Sequence, residues 1–206
     1  MGAKGAREKI KGGPEARRRH VMGAARRLFL AHGFHATGIA QIAKDAGVHV
    51  VQIYRDFGSK EDIIAAIAED EVRASMEEAT CAASGIGGVQ GFRRWIRGHI
   101  DRQLHSDEPD LFLEIVAEAS RNPRIAAVFQ KVDSHARKAL AEVFARLAPA
   151  SVTAGELETQ VELFITLTAG LYARMVAHPH LDKRSFVARI EAILEREIFG
   201  PSARTE

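Results

Sequence analysis

The chain has a single cysteine, Cys81, which leaves no internal disulfide to staple the fold and fits a reducing cytoplasm. As a lone thiol, Cys81 is read as a small helix residue rather than a redox sensor. No run of about 18 apolar residues occurs, which argues against a membrane-spanning helix and any membrane partner. The N-terminus is basic with no apolar stretch behind it, so no export signal is expected. Prolines number only six, and all fall at the edges of or outside the helical patterns, as helix sterics require. Period-two alternation and internal repeats are absent. So are HExxH, CxxC, GxGxxG, P-loop and GxSxG patterns, which removes the usual sequence signatures of metalloproteases, redox enzymes, nucleotide binders and hydrolases. No cofactor and no metal is implied.

What is present is an uneven distribution of charge. Residues 1–60 hold 12 Lys/Arg and 4 Asp/Glu, a balance of +8. Residues 61–206 hold 17 and 23, a balance of −6, so the overall +2 conceals a basic head on an acidic body. That is the electrostatic shape of a protein whose head meets polyphosphate. Residues 1–16 are glycine-rich and basic with no apolar period, and are expected to form a disordered basic arm.

Beyond the arm nearly every segment has helical period. Val21, Ala24, Ala25, Leu28 and Phe29 fall on one helix face before Gly33. Thr37 is placed to cap a second helix that ends at Ala46-Gly47. A third runs from about His49 to Phe57. Ser59, with Asp62 three residues on, caps a fourth that reaches about Cys81. After the glycine-rich break at 84–88, a helix carrying Phe92 to Leu104 is expected, then one from near Pro109 that stops before Asn122-Pro123, then one carrying Ile125 to Leu147. The last two cover roughly 155–177 and 183–199. The fold class is all-α, with about nine helices.

Within Thr37–Phe57, two short helices joined by a tight turn make a helix-turn-helix. Small Ala43 permits close approach, Gly47 supplies a backbone conformation closed to most residues, and Val48 and Ile53 pin the pair to the first helix. His49, Gln52, Tyr54, Arg55 and Lys60 then lie in or beside the outer helix, where they reach base edges and phosphates. A three-helix core with incidental polar decoration is the alternative.

Residues 24–67 resemble the N-terminal domain of the tetracycline-repressor (TetR) family. The matching pieces are Leu28-Phe29, Gly33-Phe34, Ala36-Thr37, Ile42-Ala43, Ala46-Gly47-Val48, Tyr54, and Phe57 followed by Gly58-Ser59-Lys60-Glu61. A weaker likeness covers Glu114 to Arg124. The resemblance implies a DNA-binding domain over 17–60 and a helical ligand-sensing and dimerisation domain over 61–206. It implies that Thr37, Tyr54 and Lys60 hold phosphates while His49, Val50, Gln52 and Arg55 face the major groove. Gln52 would pair with adenine, and Arg55 with guanine or phosphate. Relatives often hold Ser, Gly and His where this chain has His49, Val51 and Asp56. Asp56 would repel phosphate if it pointed outward, so it is expected to face solvent or pair with a basic neighbour.

The same resemblance places an effector pocket in the C-terminal bundle, with Trp95, His99, Phe112, Phe129 and Tyr172 as its lining. Those apolar walls suit a small hydrophobic or aromatic molecule of unknown identity. It also implies a homodimer through the last two helices, and hence a near-palindromic double-stranded operator. The function expected is a cytoplasmic, ligand-responsive repressor and not an enzyme. Two alternatives stay open: a helical metal-dependent enzyme using Glu114 and Glu118 with His99 or His135, or His178 and His180; and a DNA-binding protein that does not repress.

Overall fold

A computed structural model describes residues 13–84, 88–105, 111–178 and 180–199. All regular structure among them is helical: α1 (Pro14–His32), α2 (Ile39–Asp45), α3 (Val50–Phe57), α4 (Lys60–Ala83), α5 (Gly88–His105), α6 (Leu111–Ala119), α7 (Pro123–Leu147), α8 (Ala154–Ala177) and α9 (Lys183–Phe199). No helix among the described residues is long and apolar enough to cross a membrane.

Local chemistry sets most boundaries. Pro14 opens α1, where a missing N–H costs nothing, so residues 14–16 belong to a helix and not to the expected arm. The rest of the arm, residues 1–12, lies outside the described residues. Ser59 and Asp62 cap α4 as expected: Ser59 Oγ accepts the Asp62 N–H at 3.1 Å and donates to its carboxylate at 2.6 Å. Asn122 caps α7 by accepting the Arg124 N–H at 3.1 Å. Thr153 and Glu156 form a reciprocal capping box on α8. Gly88 joins α5 instead of the preceding break.

The chain divides into two compact units. The first comprises the chain up to Asp70 and Leu111–Gln130; the second runs from Glu71 to Asp110 and from Lys131 onward. Both α4 and α7 contribute residues to each. In the first unit α1, α2 and α3 pack on one another, and α6 packs on α1. Val21, Ala24, Ala25, Phe29, Ile42, Val48 and Ile53 are buried there, and the Phe29 and Phe34 rings lie 5.3 Å apart. Gly47, at φ 68°, makes the turn between α2 and α3 in the left-handed region that side chains avoid.

The second unit buries Phe92, Trp95, Ile96, Ile100, Leu140, Phe144, Phe164 and Leu171 with Val187, Ile190 and Leu194 of α9. Each such side chain contributes about 1.5–3 kcal/mol by leaving water. At Gly91 a Cβ would overlap the Ala82 carbonyl, so α5 approaches the end of α4 only because that position is glycine. Arg93–Glu195 (3.6 Å) and Arg97–Glu191 (3.3 Å) pair α5 with α9 along one edge.

Candidate nucleic-acid interface

The short helix α3 has two unlike faces. Ile53 and Phe57 are buried against the first unit, whereas Val50, Val51 and Tyr54 are 37%, 78% and 53% exposed. Arg55 is exposed beside them, and His49 is exposed at the N-cap. Positions 50, 51, 54 and 55 share one side of a helix, so these side chains form a single outward surface. Three of the five exposed large hydrophobic residues among the described ones lie on it. Solvent gives no reason to display two valines and a tyrosine on one short helix; a partner does.

Two charged residues of α1 set the orientation of α3. Arg17 donates from Nε to Asp56 Oδ2 (2.5 Å) and from Nη2 to Oδ1 (3.0 Å). Arg18 donates to the Asp56 carbonyl and lies over the Phe57 ring, 4.2 Å from its centroid. The Asp56 side chain is only 9% exposed, so the acidic residue within the recognition helix is turned inward and neutralised. The main basic partner of Asp56 is therefore Arg17, from a run that the motif does not include, with Arg55 Nε a second, longer contact at 3.5 Å.

Three of the predicted contact residues are held differently from expectation. Thr37 is fully buried, and its hydroxyl donates to the carbonyls of Gly33 (2.9 Å) and Leu28 (3.1 Å). It neither caps α2, whose N-cap is Gly38, nor presents oxygen or hydroxyl to a phosphate. Lys60 turns its ammonium to the carbonyls of Phe34 (2.7 Å) and Thr37 (3.0 Å) and sits 4.2 Å from the Phe34 ring centroid. That group, too, is spent within the fold. Gln52 is half-buried and accepts the His49 N–H at 2.9 Å, so the oxygen that would meet adenine already caps α3. His49, Val50, Tyr54 and Arg55 remain together on the outward face.

The residues named for the effector divide between the units. In the second, the Trp95 ring stacks with His99 (5.0 Å), Phe92 (5.1 Å) and Phe164 (5.9 Å), all within 23° of parallel. The Trp95 indole Nε1 is buried and finds no acceptor among the described residues. Burial, with the Arg102 charge adding to it, pushes the His99 imidazole down to about 4. It is therefore neutral at pH 7. Tyr172 is half-buried on α8. Phe112 and Phe129 pair in the first unit, 6.0 Å apart. Glu114 and Glu118 engage the loop between α1 and α2, and no group of three His, Cys, Asp or Glu among the described residues is arranged to hold a metal. His135, His178 and His180 are exposed.

Comparison with known proteins bears on the fold and the family. Residues 21–67 match the family described as bacterial regulatory proteins, tetR family, and residues 88–198 match the C-terminal domain of BetI-type transcriptional repressors. The HTH-type transcriptional regulator UidR of Escherichia coli K12 is 26% identical over 185 residues, covering 86% of this chain and 90% of UidR. Salmonella enterica GusR has the same fold, with a TM-score of 0.74 at 22% identity, covering 92% of this chain and 99% of GusR. A regulator from Saccharomonospora viridis, solved in complex with choline, has a TM-score of 0.62 at 22% identity, covering 90% and 96%. A tetR-family match over residues 21–67, followed by a BetI-type match over 88–198, makes this chain a member of the TetR family of bacterial transcriptional regulators.

Proposed function

We propose that this regulator is a repressor that binds a near-palindromic operator as a homodimer and leaves it when a small hydrophobic or aromatic effector occupies the C-terminal helices. The observation that carries DNA recognition is the joint exposure of His49, Val50, Val51, Tyr54 and Arg55 on α3. Arg55 supplies charge for phosphate or guanine, Tyr54 a hydroxyl, and the valines apolar surface for thymine methyls.

The second copy is argued from α8 and α9. Thr166, Gly170, Ala173, Val176 and Ala177 are exposed on α8, and Ala188 and Ala192 on α9. Small side chains on two adjacent helices let a matching pair approach closely, and Val176, 73% exposed, gains by being covered. Two recognition helices then read half-sites spaced by roughly 34–36 Å per turn of DNA. Such a protein acts where the chromosome is, in the cytoplasm.

Effector chemistry is read from Trp95 and His99 on α5, with Tyr172 on α8 of the same unit. A flat stack with a neutral imidazole and an unmatched indole N–H suits a planar or apolar molecule carrying a hydrogen-bond acceptor. The choline bound by the S. viridis protein is a precedent for a small molecule in this fold. To release DNA, the effector must prefer the conformation that misplaces the recognition helices.

The test is footprinting of the full chain on DNA flanking its own gene, with sedimentation to count copies per operator. One dimer protecting a near-palindrome is the expected result. A protected region without dyad symmetry, or a monomer on DNA, overturns it. Trp95 is the chain's one tryptophan, so its fluorescence reports effector binding without a label.

A further inference from the structure

Helix α6 carries a carboxylate where its apolar stripe calls for another hydrophobic residue. Leu111, Ile115 and Glu118 are its buried residues, at successive turns of one face. Glu118 is only 1% exposed; its Oε2 lies 3.0 Å from His35 Nε2 and 3.5 Å from Arg121 Nη2. Its Oε1 is buried with no hydrogen-bond partner among the described residues. One turn earlier, Glu114 Oε1 accepts the backbone N–H of Phe34 at 2.6 Å. Both carboxylates thus engage the short connection between α1 and α2.

That connection is held from its other sides as well. Lys60, the first residue of α4, takes the carbonyls of Phe34 and Thr37, and the Thr37 hydroxyl takes those of Gly33 and Leu28. Gly33, Phe34, His35 and Thr37 therefore each have polar groups held by α1, α4 or α6. Immediately after them begins α2, and through the Gly47 turn α3 follows. Where the connection sits decides where the recognition surface points.

Stability alone does not account for Glu118. A buried carboxylate with half its accepting capacity unused costs free energy relative to a leucine of similar volume, and removing such a charge in favour of an apolar side chain is often neutral or stabilising. What glutamate supplies that leucine cannot is a directed contact with His35. We propose that Glu118, seconded by Glu114, is a positioning residue for operator binding: together they hold the α1–α2 connection in the place from which α2 and α3 meet DNA. This rests on the operator-binding reading above. After α6 the chain enters α7, which continues into the second unit, so the positioning contact has a covalent route to the helices proposed to sense effector.

The experiment compares the full-length chain with Glu118→Leu, Glu118→Gln and Glu114→Ala on the footprinted operator, by fluorescence anisotropy. Thermal unfolding and amide hydrogen exchange are measured on the same samples. Glu118→Leu is expected to melt at or above the wild-type temperature yet bind operator about tenfold more weakly. Exchange should quicken at residues 33–38 while the amides of Ile53–Phe57 stay protected. Glu118→Gln keeps an oxygen for the His35 ring and should recover most of the affinity. Glu114→Ala, which frees the Phe34 N–H, should weaken binding and quicken exchange at Phe34 even if Glu118→Leu does not fold. Wild-type affinity in both Glu118→Leu and Glu114→Ala overturns the proposal. So does a loss of affinity in Glu118→Leu that Glu118→Gln shares in full and that follows melting temperature. A wild-type chain that protects no operator overturns the parent reading, and this one with it.

Discussion

Arg17 and Asp56 meet in a two-point ion pair that ties the first helix to the recognition helix, at 2.5 and 3.0 Å. The hydrogen bond from Arg17, against the opposing effect of burial, holds the Asp56 carboxyl below its usual range. A carboxyl held low stabilises the fold above the ordinary carboxylate range near 4, and that stabilisation fades as pH falls through the lowered value. Asp56→Asn is therefore expected to melt about 2–6 °C below wild type at pH 7, with the gap closing below about pH 4. An equal gap at pH 7 and pH 3 would show that the pair is not the source.

Arg55 and Lys60 should separate cleanly when each is changed to alanine. Arg55 is exposed on the recognition surface, so Arg55→Ala should weaken operator binding and reduce the log–log salt slope by about one. The ammonium of Lys60 is occupied by two carbonyls, so Lys60→Ala should lower the melting temperature and leave the slope nearly unchanged. Titrations at four salt concentrations give both slopes. Matching losses in the two variants would return Lys60 to the phosphate role that the motif implies.

Much of the fold was legible because helix period and punctuation agree: the nine helices of the described residues fall within a few residues of where the apolar spacing, caps and prolines place them. The outward face of α3 was legible too, since Ile53 and Phe57 mark its inner side. Thr37 and Lys60 were not, because a motif records which residue stands at a position but not whether tertiary packing turns it in. Likewise, Arg17 and Arg18 read in sequence as two more charges of a basic run. Only their spatial approach to Asp56 distinguishes them. The signal available was Asp56 itself, an acid in a helix facing polyphosphate, which calls for a cationic partner.

Val51 offers a test of base reading. It is 78% exposed at the start of α3, and a thymine 5-methyl group is the apolar feature of the major groove that it fits. Replacing single operator thymines by uracil should weaken binding about three- to fivefold at one position per half-site, the worth of one buried methyl. Val51→Ala should abolish that difference. A uniform response across positions, or one that persists in the variant, would assign the methyl contact elsewhere.

His99 makes the second unit acid-sensitive in a defined window. Burial holds its imidazole at about 4 in the folded chain, against an ordinary value of 6.5. Unfolding therefore takes up a proton between those values, and stability is lost as pH falls from about 6.5 towards 4, by up to about 1.4 kcal/mol per pH unit. Urea unfolding at several pH values should show this loss in wild type and a shallower one in His99→Phe. Parallel curves for the two proteins would mean that other groups dominate the acid limb.

The grouping of α6 with the first three helices bears on how such regulators could be recombined. A head cut at Asp70 leaves behind Leu111, Ile115 and both carboxylates that grip the α1–α2 connection. It would carry the recognition surface without the piece that holds it in place. Grafting this head onto another sensor is thus not a matter of joining two consecutive stretches of chain: the foreign sensor must supply an equivalent of α6, or bring this one along. Swaps between members should succeed or fail according to the origin of residues 111–130, far from the junction where the engineer makes the splice.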